Sequence, residues 1–509
     1  MSRFGFTEEA ATNGRPGGSR GPRRAGALAV VVAVAVLPTA CTSGSAPSSN
    51  GSVSAEPATY QAPRGSATAA ATPSRPGAVP GDCLASQPPC YAPRQFRAAY
   101  GIQPLLDRGI DGRGVTVVLP EEAETMPEPP AEPGLPPAVT DIRQDLADFD
   151  SRFGLPPARI QVIRTALAGA SASPWLADVE EVADTELVHA VAPDATIREL
   201  LVDPADVSTP AKFAATWAAA VRMAARNGQV ISQSGIGQDF NLGEDSFTSA
   251  EAATMNSALE YAAARHVTVV VASGDYGAIG NGATTPVKQV SLPASDPLVL
   301  AAAGTALTAN PVTGAYISET AWNIPPALPA GGSTLTANPV TGAYISETAW
   351  NTPGLPPQPG ASGGGFSHLF ARPAYQDGVP GIGATRGVPD VAADGESGTG
   401  MALAFSDGGG QRYILVGAGG TSAAAPFWAG LIALADQEAG HPLGFVNPAI
   451  YRIARGPLYH KAFHDITTGN NTVVLNGVTI TGYQAGPGWD PVTGWGSPDA
   501  QVLIPLLAG

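Results

Sequence analysis

A glycine-rich turn that presents one serine to an apolar helix is the part of this sequence best suited to chemistry. Residues 419–422 read GGTS, and small residues follow Ser422 up to Pro426. We predict a helix over 426–437, because proline is tolerated in a first helical turn, where its missing N–H has no partner. A helix N-terminus favours negative charge, so the pattern indicates that Ser422 is a nucleophile. The alternative is a small-residue turn that only packs a helix onto a sheet.

A serine nucleophile requires a base, and histidine is the usual one. The six histidines are each explained as surface or loop residues, so a Ser-His-Asp triad is poorly supported. Carboxylates offer another route, because Glu180 and Asp184 lie one turn apart on a predicted helix over 177–192. Two adjacent carboxylates share a proton, which raises one pKa, and such a pair can accept a proton from Ser422 at acidic pH. The alternative is a solvated helix face.

A third carboxylate follows a buried strand. Asp275 stands just beyond the apolar run 267–272, at the carboxyl end of the strand, where α/β sheets place their sites. If it is protonated, Asp275 can donate a hydrogen bond to an oxyanion. A turn cap is the alternative for this residue.

Strands and helices that alternate along the chain would position these groups. Apolar runs predict strands, and segments of helical spacing predict helices between them. The predicted strands are 114–119, 161–163, 195–202, 230–232 and 267–272, and the predicted helices are 141–153, 177–192, 210–227 and 249–265. Near-continuous apolar strands in this order indicate an α/β fold with a mostly parallel central sheet and helices on both faces.

The composition favours a large exported globular protein. The chain has 509 residues, is 44% hydrophobic, and carries a formal net charge of −16. Because no basic patch stands out, nucleic acid is not expected as a partner. A monomer is the expected state.

The first 80 residues indicate export and a tether. Residues 1–41 resemble a signal peptide, with an arginine-rich start, an apolar run over 25–37, and Cys41 in a bacterial lipoprotein-like context. Lipidation of Cys41 and plain secretion are the alternatives, and membrane contact is expected only through such an anchor. Residues 42–80, rich in Ser, Ala, Pro and Gly, predict a flexible tether before the folded part, 81–509. Cys83 and Cys90 are spaced for a local disulfide, the alternative being two free thiols.

One segment occurs twice. Residues 307–323 and 335–351 share the same 17 letters, LTANPVTGAYISETAWN. Two copies are too few for a solenoid, so the repeat indicates a recent tandem duplication or an error of sequence assembly. In either case we expect one copy to be a surface insertion.

Taken together, these residues resemble the sedolisin family of serine-carboxyl peptidases, from Tyr91 to the end of the chain. The letters GTSAAAP around Ser422, the acid helix that begins at Glu180, and the Ser-Gly-Asp that ends at Asp275 carry the resemblance. Supporting matches are LPAS at 292–295, GGFS at 364–367 and GVPDVA at 387–392.

The resemblance implies a subtilisin-like fold, with 81–509 as the peptidase domain. It implies that Ser422 attacks the scissile carbonyl, that Glu180 is the general base, that Asp184 orients Glu180, and that Asp275 donates to the oxyanion. Members often extend the acid network with a glutamate, which Glu121 matches, and with an aromatic residue, whose position falls at Gly235.

The resemblance also implies one bound Ca²⁺ in a C-terminal loop region. Its ligands would be the carboxylates of Asp465 and Asp490 and the carbonyls of Ile466, Gly486 and Gly488, plus water, which suits an ion that prefers mixed oxygen ligands. An ordinary Gly/Asp turn is the alternative. Family precursors usually carry a large propeptide, whereas only the tether is expected before Tyr91.

The leading hypothesis is therefore a secreted or surface-anchored endopeptidase that acts on peptides or proteins at acidic pH. A calcium-stabilised surface lipoprotein that binds peptides without cleaving them is the second hypothesis. An esterase is the third, although Ser422 lacks the Gly-x-Ser-x-Gly elbow of that class.

Overall fold

A computed structural model describes most of the chain from Tyr91 onward. It covers residues 91–124, 139–164, 175–203, 207–235, 242–282, 285–324, 360–396, 399–406, 412–415, 419–475 and 477–509, and the strands at 58–61, 336–337 and 344–346. The disulfide predicted between Cys83 and Cys90, the lipidation of Cys41 and the signal peptide lie outside the described residues, as does nearly all of the tether.

Alternating strands and helices form the body of the fold. The first ten strands are β1 (Ala58–Gln61), β2 (Thr116–Glu122), β3 (Val139–Asp141), β4 (Arg159–Arg164), β5 (Leu176–Asp178), β6 (Thr196–Val202), β7 (Val230–Gln233), β8 (Thr268–Ala272), β9 (Leu300–Ala309) and β10 (Tyr316–Ala321). The later strands are β11 (Asn323–Ile324), β12 (Thr336–Ala337), β13 (Tyr344–Ser346), β14 (Gly360–Ala361), β15 (Gly365–Ala371), β16 (Thr385–Val388), β17 (Val391–Asp394), β18 (Leu403–Ser406), β19 (Arg412–Leu415), β20 (Phe463–His464), β21 (Val473–Leu475), β22 (Val478–Ile480) and β23 (Ser497–Pro498). The α-helices are α1 (Pro93–Ala99), α2 (Gln103–Leu106), α3 (Ile142–Phe153), α4 (Val179–Val191), α5 (Pro210–Ala224), α6 (Ser249–Ala263), α7 (Thr421–Ala439), α8 (Asn447–Ala454), α9 (Tyr459–Ala462) and α10 (Ala500–Ala508).

The predicted parallel sheet is confirmed. Its strand order is β1-β4-β6-β2-β7-β8-β9-β10, and β17 also pairs with β9. The pairs from β4 to β9 are parallel, as is β17 with β9, whereas β1 and β10 are antiparallel to their neighbours. The carboxyl ends of the parallel strands therefore meet along one edge of the sheet, where the candidate site residues lie.

Helices cover both faces of this sheet, as predicted. The sheet has one hydrophobic core on each face, and alternate residues of β2 point into different cores. Val117 and Leu119 pack with α4 and α7, whereas Val118 packs with α5 and α6. The central strands β2, β7, β8 and β9 are buried on both faces, which explains why they lack an alternating polar pattern. Among the described residues, no helix is both long and apolar enough to cross a membrane.

The start of α7 corrects one predicted boundary. The helix begins at Thr421 rather than at Pro426, so Ser422 lies in its first turn and Pro426 lies inside the helix. Pro426 was predicted to be the first helical residue. A proline inside a helix removes the hydrogen bond to the carbonyl four residues earlier, and this loss is smaller where that carbonyl finds another partner. That carbonyl belongs to Ser422, and the hydroxyl of Ser234 donates to it at 3.1 Å.

Candidate active site

The turn before α7 fixes the position of Ser422. Gly420 has φ +80°, and a Cβ at this position would lie 2.7 Å from an Asp275 carboxylate oxygen. Glycine is therefore required both by the backbone angle and by the close approach of Asp275. The Gly420 N–H donates to the Gly395 carbonyl at 2.8 Å, which ties the turn to the end of β17.

Glu180 reaches Ser422 from the first turn of α4. Asp178 caps this helix by accepting hydrogen bonds from the backbone N–H groups of Glu180 and Glu181, at 2.9 and 3.0 Å. The Glu180 carboxyl lies beside the Ser422 side chain, close enough for that hydroxyl to lower its pKa. Burial raises the pKa of Glu180 to about 7 against the lowering effect of the Ser422 hydroxyl, and repulsion from Asp178 and Asp275 adds to the rise.

Asp184 lies one helical turn beyond Glu180 and is fully buried. The Ser234 hydroxyl lies 2.9 and 2.7 Å from its two carboxylate oxygens, and the Glu121 side chain is also hydrogen-bonded to it. Burial, followed by the charge of Glu180, raises the pKa of Asp184 well above its ordinary value. Glu180 and Asp184 therefore form a pair of acids whose simultaneous ionisation costs free energy, and such a pair holds a shared proton.

Ser234 connects the acids to the nucleophile. It follows the carboxyl end of β7, and its hydroxyl lies within hydrogen-bond distance of the Asp184 carboxylate and of the Ser422 carbonyl. The carbonyl is available because Pro426 has no N–H to donate to it. Sequence reasoning missed Ser234, although its place just past a buried strand, next to Gly235, is a signal that could have identified it.

Asp275 lies on the other side of Ser422. Its Oδ1 accepts two hydrogen bonds from Thr421, one from the backbone N–H at 2.7 Å and one from the hydroxyl at 2.8 Å. Asn281 accepts the Asp275 backbone N–H at 2.7 Å, which fixes the turn after β8. Burial raises the pKa of Asp275 while the hydrogen bonds from Thr421 lower it. Because both hydrogen bonds from Thr421 go to Oδ1, a proton on Oδ2 would make Asp275 a hydrogen-bond donor beside Ser422.

The structure thus brings together the four predicted catalytic residues and adds a buried group of glutamates below them. Glu121 on β2, Glu199 on β6 and Glu181 on α4 are buried between the sheet and the helix. Thr185 donates to Glu199 at 3.1 Å, and Glu181 accepts from the Asp178 backbone at 3.1 Å. Burial is the largest cause of a raised pKa in all three, and it raises the pKa of Glu199 to about 7. The sequence did not reveal Glu181 and Glu199, because a glutamate in a strand or helix gives no sign of its burial.

The predicted calcium ligands lie around one loop. The Gly488 N–H donates to the Asp465 carboxylate at 3.1 Å, and the Gly486 N–H donates to the Asp490 carboxylate at 3.2 Å. Gly488 has φ +78°, and a Cβ on either glycine would meet nothing within 4 Å. Two carboxylates beside an open loop of backbone carbonyls form a set of hard oxygen donors, which fits Ca²⁺. The described residues include no group of three or more His, Cys, Asp or Glu side chains that could hold a metal ion, so calcium here would depend on the carbonyls.

Comparison with known proteins identifies the family of this chain. The model of the subtilase family matches residues 165–496. Kumamolisin from Bacillus sp. (strain MN-32) is 32% identical over 431 residues, which cover 82% of this chain and 64% of that protein. Sedolisin from Pseudomonas sp. (strain 101) is 31% identical over 376 residues, covering 72% of this chain and 55% of that protein. The chain thus spans less than two thirds of the length of these curated relatives.

A solved structure extends the comparison to the fold. A Pseudomonas sedolisin (serine-carboxyl proteinase), complexed with two molecules of pseudo-iodotyrostatin, aligns with a TM-score of 0.60 and 26% identity, and covers 82% of this chain and 97% of that one. The chain belongs to the subtilase family of serine peptidases. Within it, the chain is a member of the sedolisin family, and the subtilisin-like fold expected from the sequence is confirmed.

Proposed function

We propose that this chain is an endopeptidase that cleaves peptide bonds at acidic pH, with Ser422 as the nucleophile. The observation that carries the proposal is the position of the Glu180 carboxyl beside the Ser422 side chain, whose hydroxyl lowers the pKa of that carboxyl. A nucleophile and its base must be within hydrogen-bond reach, and a third group must orient the base. In this proposal Asp184, one helical turn from Glu180, takes that third role.

The proposed reaction proceeds through an acyl-enzyme. Ser422 Oγ attacks the scissile carbonyl carbon while its proton moves to the Glu180 carboxylate. The protonated side chain of Asp275 donates to the oxyanion that develops on the carbonyl oxygen. Glu180 then gives its proton to the leaving amine, and the same groups act in reverse when water releases the acyl group.

The protonation states that this reaction requires of Glu180 and Asp275 limit the pH range in which the enzyme is active. Glu180 must be ionised to accept the proton, so the rate falls as pH falls through the titration of the Glu180–Asp184 pair. Asp275 must be protonated to donate, so the rate falls again as pH rises through its pKa. Both Glu180 and Asp275 have a raised pKa, which moves this window upward from the range where ordinary carboxyl groups titrate.

The first test is cleavage of a mixed peptide library from pH 3 to 9, a range that spans the titration of Glu180, with Ser422→Ala in parallel. We expect a bell-shaped pH profile, and loss of cleavage in the variant. The library should contain each peptide with a free and with an acetylated N-terminus. This pair of substrates is needed because the relatives include human tripeptidyl-peptidase 1, which is 31% identical over 294 residues, 52% of this chain and 41% of that protein.

The outcomes separate the candidate functions. Equal cleavage of peptides with free and with acetylated N-termini supports an endopeptidase. Release of tripeptides only from peptides with a free N-terminus would instead identify a tripeptidyl peptidase. No cleavage by folded protein at any pH would favour the peptide-binding surface lipoprotein. Export and anchoring are proposed from residues 1–41 alone, and peptide or protein is the proposed substrate class.

We also propose one bound Ca²⁺, held by the carboxylates of Asp465 and Asp490 and the carbonyls of Ile466, Gly486 and Gly488. The ion would hold the loop closed by neutralising the two carboxylates, and a ligand that binds only the folded state stabilises it. Chelation should therefore lower the thermal unfolding midpoint, and added Ca²⁺ should restore it. At a hundredfold excess over the Kd, the stabilisation would be about 2.7 kcal/mol.

Asp465→Asn is the matched variant for this experiment. It keeps an oxygen that can accept the Gly488 N–H but removes a charge that Ca²⁺ requires. We expect its unfolding midpoint to be insensitive to both chelator and Ca²⁺. A wild-type midpoint that does not respond to chelation would contradict the calcium site.

A further inference from the structure

The first copy of the repeated segment forms one end of the central sheet. Residues 307–323 supply the last part of β9, the turn that follows it, and all of β10. In the pairing order, β10 is the last strand. The second copy, 335–351, has the same 17 letters, so every side chain that the first copy places on the sheet is encoded twice.

The described strands of the second copy repeat the pairing of the first. In the first copy, Thr308 pairs with Ser318 and Ala309 with Tyr316. In the second copy, β12 and β13 pair Thr336 with Ser346 and Ala337 with Tyr344. These are corresponding positions, and both pairs of strands have a register shift at the same place. The described strands of the two copies therefore pair in the same register.

Three residues near the end of the first copy anchor it to the sheet. Glu319 is buried and accepts hydrogen bonds from Tyr100 Oη at 2.5 Å, from Thr305 Oγ1 at 2.7 Å and from the Ser497 hydroxyl. Trp322 is buried, and the Asn323 amide donates to the backbone carbonyls at positions 470 and 472, at 2.6 and 3.0 Å. The corresponding residues of the second copy are Glu347, Trp350 and Asn351.

We infer that the edge of β9 is a docking surface for either copy, so that residues 344–349 can take the place of β10. The docked side chains would be the same in both states, because the two sequences are identical. The states differ in their connections, since docking of the second copy replaces the tight turn over 310–315 by a longer one. Loop-closure entropy grows only with the logarithm of loop length, so this longer connection does not prevent the exchange.

The exchange would change the surroundings of the active site. Ala361 pairs with Asn323 and donates its N–H to the Asp275 carbonyl at 2.9 Å, so β11, which follows β10, lies beside Asp275. With the first copy docked, residues 324–359 connect this edge to Gly360. With the second copy docked, only residues 352–359 would connect this edge to Gly360. The residues between the two copies would then belong to the connection between β9 and the docked strand, at the opposite end of that strand.

Disulfide trapping tests the exchange directly. Ala306 pairs with Thr320 across β9 and β10, and Thr348 corresponds to Thr320 in the second copy. Full-length Ala306→Cys/Thr320→Cys and Ala306→Cys/Thr348→Cys should both form the engineered disulfide under mild oxidation, as read by peptide mapping. Ala306→Cys/Ser333→Cys, whose second site lies outside the repeat, should not. A disulfide in the Thr320 pair alone, or an equal yield in the Ser333 control, would overturn the inference.

Thermal unfolding gives a second readout that does not involve catalysis. A lysine in place of Glu319 would bring a charge into a buried, hydrogen-bonded site. If either copy can dock, Glu319→Lys and Glu347→Lys should each unfold close to the wild-type midpoint, while the double variant unfolds well below it. In a chain without residues 324–351, which keeps one copy, Glu319→Lys alone should have the full effect. If Glu319→Lys in the full-length chain matches the double variant, the second copy does not dock.

Discussion

Replacement of Glu180 by glutamine should abolish peptide cleavage while the protein remains folded. The amide keeps the size of the side chain and its reach to Ser422, but it cannot accept a proton at any pH. Loss of a positioned general base costs about 10²- to 10⁴-fold in rate. We expect kcat/KM to fall by at least that much at every pH of the profile, as measured on the peptides that the wild type cleaves.

Glu181→Gln is the matched control, because it makes the same change at the neighbouring residue. Glu181 accepts the backbone N–H of Asp178, and a glutamine oxygen can accept the same bond. The cap of α4 should therefore survive in this variant, and kcat/KM should stay near that of the wild type. Cleavage by Glu180→Gln within a few-fold of wild type would remove Glu180 from the role of base, and an equal loss in Glu181→Gln would point to damage to the helix instead.

The parts of the site that the sequence predicted are those fixed by local rules. Gly420 lies in a turn that only glycine permits and that leads directly into the helix of Ser422, Glu180 and Asp184 follow helical spacing, and Asp275 follows a strand. Each of these patterns spans only a few residues, so the sequence displays it directly. The roles themselves came from the family resemblance, whereas the structure supplies the distances.

The parts that the sequence missed depend on contacts between distant segments. Ser234 is 50 residues from Asp184 along the chain and 188 from Ser422, yet its hydroxyl reaches both. The start of α7 was misplaced for the same reason. A proline inside a helix is acceptable here because of Ser234, which no local pattern around Pro426 reveals.

Stability should fall as the pH rises through neutrality, because the buried glutamates must ionise. In the unfolded chain a glutamate titrates near pH 4.3, whereas in the folded protein burial raises the pKa of Glu199 to about 7. The folded state therefore holds this proton more tightly. Its contribution to stability is fully present below about pH 4.3 and is lost progressively as the pH rises through 7. For Glu199 alone the loss is about 4 kcal/mol once the pH is well above 7.

Glu121 and Glu181 act in the same direction. Burial raises the pKa of both well above the ordinary value, and mutual repulsion among the glutamates adds to the rise. We expect the thermal unfolding midpoint of the wild type to be several degrees lower at pH 8 than at pH 5. Glu199→Gln should reduce this difference, because a glutamine in the same place can accept the Thr185 hydrogen bond and never ionises.

The comparison of Glu199→Gln with wild type should therefore change sign with pH. The variant should be the more stable protein at pH 8, and equal to or less stable than wild type at pH 4, where Glu199 is already protonated. Glu260→Gln on the exposed face of α6 is the control, and it should follow the wild-type curve. If Glu199→Gln is less stable than wild type at pH 8, the folded protein holds that carboxylate in its ionised form, and the buried glutamates do not limit stability at neutral pH.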